Sequence, residues 1–317
     1  MSRGRKTEGI RFRELHGIVL LDKPLGLSSN QALQAVRRGI FRAEKGGHTG
    51  ALDPLASGLL PLCFGEATKL AGMLLGSRKA YLAECRLGVT TATADLEGEI
   101  VLERPVPELT DEAIEQALAK LRGRITQVPP AYSAIKQDGE RLYVKARRGE
   151  AVDIPSREVD VYRLDLVSRT ENSLTLYVEC GSGTYVRSLA VDLGEDLGCG
   201  AHLVALRRLW VEPFREPAMV TLEQLQAAAT QGDDVLLPLL LPVSAGLAGL
   251  PVLHLDADLT VAVSQGQQIP LDPSMTGQLA VYADDGRLQA LGEAVAGKLR
   301  IVRGFNLPSV AANTRQP

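Results

Sequence analysis

Apolar and polar residues alternate in the central part of the chain, and this alternation is the pattern that most constrains the fold. It is visible at residues 159–161 and again across 174–180, where every second residue is apolar. Because successive side chains of a strand point to opposite faces, a period of two indicates antiparallel strands with one covered face. The sequence therefore predicts an antiparallel sheet in this region.

Helical patterns lie on both sides of this region. Gln31 follows Ser28 at the spacing of a capping box, and the apolar stripe that comes next predicts a helix over Asn30–Arg42. Thr110 is placed to cap a second helix with Ile114 on its apolar face. Further helices are expected at Ala67–Leu75, from about Tyr185 to Leu193 and at Leu222–Ala229, and further strands at Gly17–Asp22, Lys79–Leu87 and Leu203–Val211.

The length and the change of pattern near the C-terminus predict more than one domain. The 317 residues suffice for two domains at roughly 100–200 residues each. From about residue 252 the chain reads as short strand-like pieces between turns. We therefore expect an α+β body and a small, mostly β C-terminal domain. The expected divisions are a basic N-terminal arm over 1–16, the body over 17–250 and the C-terminal domain over 251–317.

Residues 235–255 raise the question of a membrane segment, because they carry no charge and are long enough to span a bilayer. However, three prolines and two glycines interrupt them, and a lone spanning helix broken so often would leave backbone groups unsatisfied in lipid. The basic N-terminus also lacks the apolar core of a signal peptide. We expect a partly buried crossing between domains, no membrane partner and a cytoplasmic protein.

The composition is that of a globular protein, with 45% hydrophobic and 23% charged residues. Its four cysteines are scattered, without a paired spacing or a nearby run of histidines. This distribution predicts reduced thiols and no metal site.

Positive charge is concentrated in two segments although the formal net charge is −3. Residues 1–48 contain ten Lys and Arg against four Asp and Glu, and residues 118–150 contain eight against three. Acidic residues dominate 95–117 and 211–258. Such segregation can give an acidic protein one positive face, but solvated helix faces of alternating sign produce the same counts. The charges alone leave both interpretations open.

Two glycine-rich segments could approach a ligand. Gly181-Ser182-Gly183 leads from a predicted strand into a predicted helix, but it lacks the third small residue and the acidic strand end of a dinucleotide-binding fingerprint. Lys45–Gly58 is expected to be a loop before the apolar segment Leu59–Phe64, and it carries Asp53 among four glycines. An aspartate in such a loop can serve chemistry or simply form an Asx turn. These residues by themselves name no reaction.

Longer segments resemble the TruB-type bacterial tRNA pseudouridine synthases. The segment GHTGALDPLASGLLPLCFGEATK matches the signature of that family closely, and the resemblance extends over residues 17 to about 243. It implies a catalytic body with a large mixed or antiparallel sheet flanked by helices, and a small PUA-like RNA-binding domain at the C-terminus. The other matching segments, in family order, are GIVLLDKPLGLSS, KAYLAECRLGVTTATADLEG, PPAYSAIKQDGERLYVKARRG, GSGTYVRSLAVDLGEDLGCGAHLVALRRL and LLPLLLP.

The resemblance implies an isomerase that converts uridine 55 in the T-loop of tRNA into pseudouridine, after the target base has swung out of its stack. The N1–C1′ bond breaks and C1′ is rejoined to C5, so neither a cofactor nor a metal is expected. By match to the family motifs, Asp53 is the nucleophile, Arg187 holds its carboxylate, and Tyr81 stacks on the target base with its hydroxyl placed for proton work. Whether Asp53 attacks C6 of the base or C1′ of the sugar stays open.

The same resemblance supplies residues that bind the RNA or line the pocket, and it implies the T-arm stem-loop of tRNA as the partner. No obligatory protein partner is evident, and we expect a monomer. Two other classes stay open: a non-catalytic RNA-binding or chaperone protein with this fold, and a nucleotide-cofactor enzyme built on Gly181–Gly183. The binding residues implied by the match are His48, Tyr185, Leu206, Lys23 and Lys69.

Overall fold

The computed structural model describes residues 11–132, 136–137, 140–141, 148 and 154–308. Its α+β body is built on an eight-stranded sheet, and a separate four-stranded sheet follows near the C-terminus. The strands are β1 (Gly17–Lys23), β2 (Gly46–His48), β3 (Ala56–Phe64), β4 (Lys79–Leu87), β5 (Val89–Thr91), β6 (Ile100–Glu103), β7 (Gly123–Gln127), β8 (Lys136–Gln137), β9 (Glu140–Arg141), β10 (Arg157–Arg169), β11 (Ser173–Cys180), β12 (Ala201–Val211), β13 (Val252–His254), β14 (Gly277–Tyr282), β15 (Leu288–Val295) and β16 (Lys298–Gly304).

The large sheet runs β1–β3–β12–β4–β11–β10–β7, and β2 adds to β3. The long alternating region forms the antiparallel pair β10–β11, as predicted. Of the pairs in the sheet, β3 with β12 is parallel, and the others are antiparallel. This parallel pair brings the segment that follows the Asp53 loop beside a strand from much later in the chain. The β5–β6 and β8–β9 pairs are short hairpins outside the sheet.

The strands at the β1 end are buried on both faces. Val19 and Leu21 pack into one hydrophobic cluster, whereas Ile18 and Leu20 pack into another on the opposite face. Helices cover the two faces, which is why β1 reads as a continuous apolar run rather than as an alternation. The α-helices are Ser29–Gln34, Ala71–Gly76, Asp111–Lys120, Val186–Asp196, Leu222–Gln231, Asp233–Leu236 and Ala257–Ser264, with a π-helix at Ala35–Phe41 and 3-10 helices at Gly65–Leu70, Leu237–Leu239 and Val243–Leu247.

Two predicted segments differ in detail from the structure. The helix expected over Asn30–Arg42 begins with the predicted capping box at Ser28, but it widens into a π-helix after Gln34. The segment Lys45–Gly58, expected to be a loop throughout, contains β2 and the first residues of β3. The backbone of β2 pairs with residues 62–64. A glycine-rich sequence does not predict this tertiary partner.

The C-terminal region was expected to be mostly β, and it also contains the helix Ala257–Ser264. The β-branched residues Val261 and Val263 favoured a strand. The Asp256 carboxylate accepts a hydrogen bond from the backbone N–H of Leu259 at 2.8 Å, and this cap starts the helix. This local cap thus outweighs the β propensity of the two valines.

The uncharged stretch 235–255 is partly buried, as predicted. Val243 and Leu247 are 2% and 3% exposed, whereas Val235 is 42% exposed. Backbone hydrogen bonds in both directions between Ile18 and Leu241, each 2.9 Å, cover the outer edge of β1. Among the described residues, no helix is both long enough and apolar enough to cross a membrane.

We predict that Leu62→Ala lowers the free energy of unfolding by about 2–5 kcal/mol, because Leu62 is fully buried in β3 and truncation leaves a cavity. Leu102→Ala is the matched control, since Leu102 is 49% exposed, and its cost is below about 0.5 kcal/mol. Denaturant unfolding measures both. Equal costs for the two variants would contradict the assignment of Leu62 to the core.

Candidate functional site

A cleft of about 400 Å3 opens where the Asp53 loop, the adjacent strands β4 and β12, and the turn at 181–186 meet. The turn leads from β11 into the helix Val186–Asp196, so three distant parts of the sequence form the walls. Five of the eight residues selected from the sequence line this cleft: Asp53, Tyr81, Tyr185, Arg187 and Leu206.

The Asp53 loop is held against the helix that starts at Ser29. The Ser29 hydroxyl accepts from the backbone N–H of Leu52 at 2.7 Å and donates to the Leu52 carbonyl at 3.1 Å. Gly26 N–H donates to the Pro54 carbonyl at 2.8 Å on the other side of the aspartate. The backbone on both sides of Asp53 is therefore anchored, while its side chain remains 45% exposed.

Arg187 lies in the first turn of the helix Val186–Asp196, and its side chain is 6% exposed. One guanidinium nitrogen lies 3.0 Å from the Asp53 carboxylate, and another lies 3.1 Å from the Asp95 carboxylate. The guanidinium also donates to the carbonyls of Thr93 at 3.1 Å and Tyr132 at 2.9 Å. Four acceptors thus fix the orientation of a side chain that is held far from water.

Asp95 is the buried member of this group, with a side chain that is 3% exposed. Its other carboxylate oxygen accepts from the backbone N–H of Glu97 at 3.0 Å and from the Thr93 hydroxyl. A buried carboxylate is stable only when it is paired and hydrogen-bonded, and Asp95 meets both conditions. It therefore holds Arg187 from the side opposite Asp53.

The pKa of Asp53 is raised above its ordinary value, because burial penalises the charged form most strongly. The positive charges of Arg187 and Lys23 oppose this rise, whereas the negative charge of Asp95 adds to it. One guanidinium therefore serves two carboxylates. The ionised form of Asp53 depends on how well Arg187 is placed.

Tyr81 and Leu206 come from neighbouring strands. Tyr81 lies on β4 and is 8% exposed, and burial raises the pKa of its hydroxyl. Leu206 lies on β12 opposite Ala83 of β4 and beside Ala56 of β3. The small alanines on both sides leave room for the leucine side chain at the cleft wall.

Tyr185 immediately precedes the helix that carries Arg187, and its backbone is clamped by Gln127. The Gln127 side chain accepts from Tyr185 N–H at 2.8 Å and donates to the Tyr185 carbonyl at 3.1 Å. The guanidinium of Arg157 lies 4.9 Å from the centre of the Tyr185 ring. Arg157 also lines the cleft and donates to the carbonyl of Gly183, so it ties the turn to β10.

Comparison with known proteins identifies the family. The model of the TruB family pseudouridylate synthase N-terminal domain matches residues 38–186, and that of the tRNA pseudouridylate synthase B C-terminal domain matches residues 187–248. A tRNA pseudouridine synthase B from Xanthomonas campestris is 58% identical over 96% of this chain and 98% of its own length. The chain belongs to the TruB family of pseudouridylate synthases. The expectation of an isomerase in this family is confirmed.

Other relatives and solved structures agree with this assignment. A tRNA pseudouridine synthase B from Xylella fastidiosa is 55% identical over 94% of this chain and 98% of its own length. The crystal structure of a Cbf5-Nop10-Gar1 complex contains a chain of similar fold, with a TM-score of 0.72 and 25% identity over 92% of this chain and 85% of that chain. These similarities, together with the mixed sheet and the small C-terminal sheet, confirm the expected fold class.

Lys23 and His48 lie near the cleft but do not line it. Lys23 was selected as a basic residue near the site or its RNA, yet it is fully buried, and its ammonium donates to the carbonyls of Pro24 at 2.8 Å and Leu27 at 2.6 Å. Burial lowers its pKa to about 8 although Asp53 opposes the change. Lys23 thus acts inside the synthase on Asp53 and the loop after β1, rather than on its surface.

His48 ends the short strand β2, and its Nδ1 is buried without a hydrogen-bond partner. Burial lowers the pKa of its imidazole, and the positive charge of Arg208 lowers it further. The ring is therefore neutral at pH 7. A neutral imidazole suits contact with a nucleotide better than it suits an ion pair.

Lys69 lies apart from the cleft. Its ammonium donates to Glu66 at 2.6 Å and to the carbonyl of Gly304 at 2.9 Å, and Asn306 N–H donates to the same glutamate at 2.7 Å. Lys69 therefore does not line the cleft, and its contact with RNA stays a prediction. It connects the body directly to the end of β16 through its hydrogen bond to the Gly304 carbonyl.

Sequence reasoning missed four charged residues of the site: Asp95, Lys79, Arg157 and Arg208. Lys79 and Arg208 line the cleft, and both are buried, at 6% and 1% exposure. Lys79 donates to the carbonyls of Leu75 and Ser77, and burial lowers its pKa to about 8. Asp95 lies between a small and an apolar residue, which was an available signal, whereas Lys79 and Arg208 each follow an arginine.

We predict that Asp95→Asn slows single-turnover pseudouridine formation by about tenfold to 100-fold, because Arg187 loses the anchor that aims it at Asp53. RNA affinity is retained. Asp196→Asn is the control, because Asp196 lies on the helix that carries Arg187 but pairs with Lys120 at the surface. An unchanged rate would contradict the role of Asp95.

Proposed function

We propose that this synthase converts uridine 55 in the T-loop of tRNA into pseudouridine, with Asp53 as the nucleophile. The observation that carries the proposal is the pair of Asp53 and Arg187, 3.0 Å apart in a cleft also lined by Tyr81. The family is one of pseudouridylate synthases, and the curated relatives at 55–58% identity are named tRNA pseudouridine synthase B. These names support tRNA as the substrate.

The exposure of the pair supports a nucleophilic role for Asp53. The Arg187 side chain is 6% exposed, whereas the Asp53 side chain is 45% exposed, so the carboxylate faces the cleft and the guanidinium supports it from behind. A carboxylate can add covalently and then leave, which divides one difficult step into two easier ones. Addition to C6 of the base and attack on C1′ of the sugar both use this carboxylate.

The charges and shape of the cleft suit one nucleotide of an RNA. Among the described residues, its lining contains four cations, Lys79, Arg157, Arg187 and Arg208, against the single carboxylate of Asp53. A target base swung out of its stack loses a few kcal/mol of stacking, and stacking on an aromatic side chain returns about 1–3 kcal/mol. In this proposal Tyr81 and Tyr185 supply the aromatic surfaces and Leu206 supplies an apolar wall.

The proposal also concerns the oligomeric state of the protein and its partners. Asp53, Tyr81 and Arg187 come from one chain, so the cleft needs no residue from a second copy. We infer a monomer that takes the T-arm stem-loop of tRNA as its partner and requires no obligatory protein partner. His48, on a strand beside the Asp53 loop, is placed to contact the RNA near the vacated base.

We predict that Asp53→Asn abolishes pseudouridine formation while RNA binding is retained. The substitution is nearly isosteric, but an amide is a far poorer nucleophile than a carboxylate. The assay is single-turnover conversion of a T-loop stem-loop at saturating enzyme, read by mass spectrometry, so that binding defects do not pass for chemical ones. Asp165→Asn, which removes a carboxylate of β10 paired with Arg163, is the matched control and keeps its rate within about twofold.

The outcomes of this experiment separate the remaining functions. Product formed by Asp53→Asn within tenfold of the wild-type rate, with deamidation excluded by mass, would remove Asp53 from the reaction. Tight RNA binding without product from the wild-type protein would instead favour the non-catalytic RNA-binding protein. Product at a position other than uridine 55 would leave the reaction standing and overturn the proposed substrate site.

The pH dependence of the rate follows from the raised pKa of Asp53. Attack needs the ionised carboxylate, so the rate is full above the pKa of Asp53 and is lost as the pH falls through it. Because burial raises that pKa, we predict that the rate fails at a higher pH than an ordinary aspartate with a pKa of 3.8 would allow. Single-turnover rates on folded protein across the acid range measure the midpoint. A midpoint below 3.8 would contradict the assignment.

A further inference from the structure

Arg208 is a buried cation without an acidic partner. It is 1% exposed, and within the described part of the chain it forms no ion pair, although it belongs to the wall of the cleft. A buried guanidinium usually requires a carboxylate to offset the loss of hydration. Neutral hydrogen-bond acceptors must therefore stabilise the buried Arg208 guanidinium. Its positive charge is also available to act on a neighbouring group in the cleft.

Two backbone carbonyls fix the guanidinium. The Nε–H donates to Leu59 of β3 at 2.7 Å, and one terminal nitrogen donates to Gly50 of the Asp53 loop at 3.1 Å. A planar fork held through two of its nitrogens cannot rotate freely. The remaining N–H groups therefore point in directions that β3 and the Asp53 loop determine.

The sheet places this fixed charge beside Tyr81. On one side, Arg208 is the direct antiparallel partner of Tyr81 in β4, and on the other it pairs with Gly58 of β3. A Cβ at Gly58 would lie 2.2 Å from the Arg208 carbonyl oxygen, so the strands approach closely only because this residue is a glycine. A register shift follows directly after Arg208, and such irregularities re-aim side chains next to active sites.

Arg208 and Tyr81 both line the cleft, so their side chains face the same space. The positive charge of the fixed guanidinium favours the ionised form of the Tyr81 hydroxyl. Because Tyr81 lines the cleft, its hydroxyl can exchange a proton with a group bound there.

We propose that Arg208 is a positioning residue that acts through Tyr81, its direct partner across the sheet, and stabilises the phenolate whenever the Tyr81 hydroxyl gives up its proton. This inference rests on the proposed function. In the overall isomerisation C5 loses one proton and N1 gains one, so a hydroxyl that gives up and regains a proton ends unchanged. Arg208 touches neither the base nor the sugar in this scheme, and it acts through Tyr81.

The other groups around Tyr81 all make it harder for the hydroxyl to lose its proton, and Arg208 opposes them. Burial raises the pKa of the hydroxyl, and the neighbouring groups Cys180 and Asp53 act in the same direction. Arg208 opposes them by its positive charge. Without that opposition, a hydroxyl buried beside a carboxylate would give up its proton only with difficulty.

The test is a double-mutant cycle in the full chain. We expect Arg208→Gln to reduce the single-turnover rate by at least 30-fold when Tyr81 is present and by less than threefold in the Tyr81→Phe background. A role through the hydroxyl gives this difference, whereas a purely structural role slows both backgrounds equally. Arg207→Gln is the matched control, because Arg207 adjoins Arg208 in β12 and pairs with Asp22 away from the cleft, and its rate stays within twofold in both backgrounds.

Each outcome decides the matter. Equal losses in the two backgrounds, or a wild-type rate for Arg208→Gln, would overturn the proposal. If Arg208→Gln does not fold, Arg208→Lys is measured in the same cycle, and failure of both to fold would assign Arg208 to stability alone and overturn the proposal. A wild-type rate for Tyr81→Phe would overturn it together with the role of Tyr81, while pseudouridine formation dependent on Asp53 would still stand.

Discussion

Arg187 pairs with two carboxylates, Asp53 at 3.0 Å and Asp95 at 3.1 Å, and the proposed chemistry of the cleft depends on this arrangement. In the proposed reaction Asp53 acts as a nucleophile, and it needs a neighbour that keeps it ionised without covering it. Arg187 provides the charge from the buried side, and Asp95 prevents the guanidinium from turning away. The second carboxylate has a cost, since it raises the pKa of Asp53. Asp95 thus improves the orientation of Arg187 but makes ionisation of Asp53 harder.

The large sheet makes this arrangement possible because it joins segments that are distant in sequence. The parallel pairing of β3 with β12 places the Asp53 loop next to Leu206 and Arg208, and the antiparallel pairing of β12 with β4 adds Tyr81. The helix that follows β11 then delivers Arg187 from a third direction. Strands and the first turn of a helix are rigid elements, and they carry Tyr81, Arg208 and Arg187. The loop that carries Asp53 is anchored by hydrogen bonds on both sides of the aspartate.

Buried cations around the cleft divide into structural and chemical roles. Lys23 and Lys79 each donate to two backbone carbonyls, so they hold loops in place while they add positive potential. Lys69 lies outside the cleft, where it donates to Glu66 and to the carbonyl of Gly304 at the end of β16. Burial and hydrogen-bond partners thus distinguish the lysines that a motif match selects.

The sequence by itself determined the alternating strands β10 and β11, the capping box at Ser28 and, through its motif, the choice of Asp53, Tyr81 and Arg187. These depend on local periodicity, on side-chain caps and on a contiguous signature. It did not determine the pairing of β2 or the roles of Asp95, Lys23 and Arg208. Those depend on partners far along the chain: Asp95 matters because Arg187 reaches it, and Arg208 matters because β12 lies between Gly58 and Tyr81. Only tertiary structure decides such contacts, because the free energy of a buried charge depends on which groups surround it.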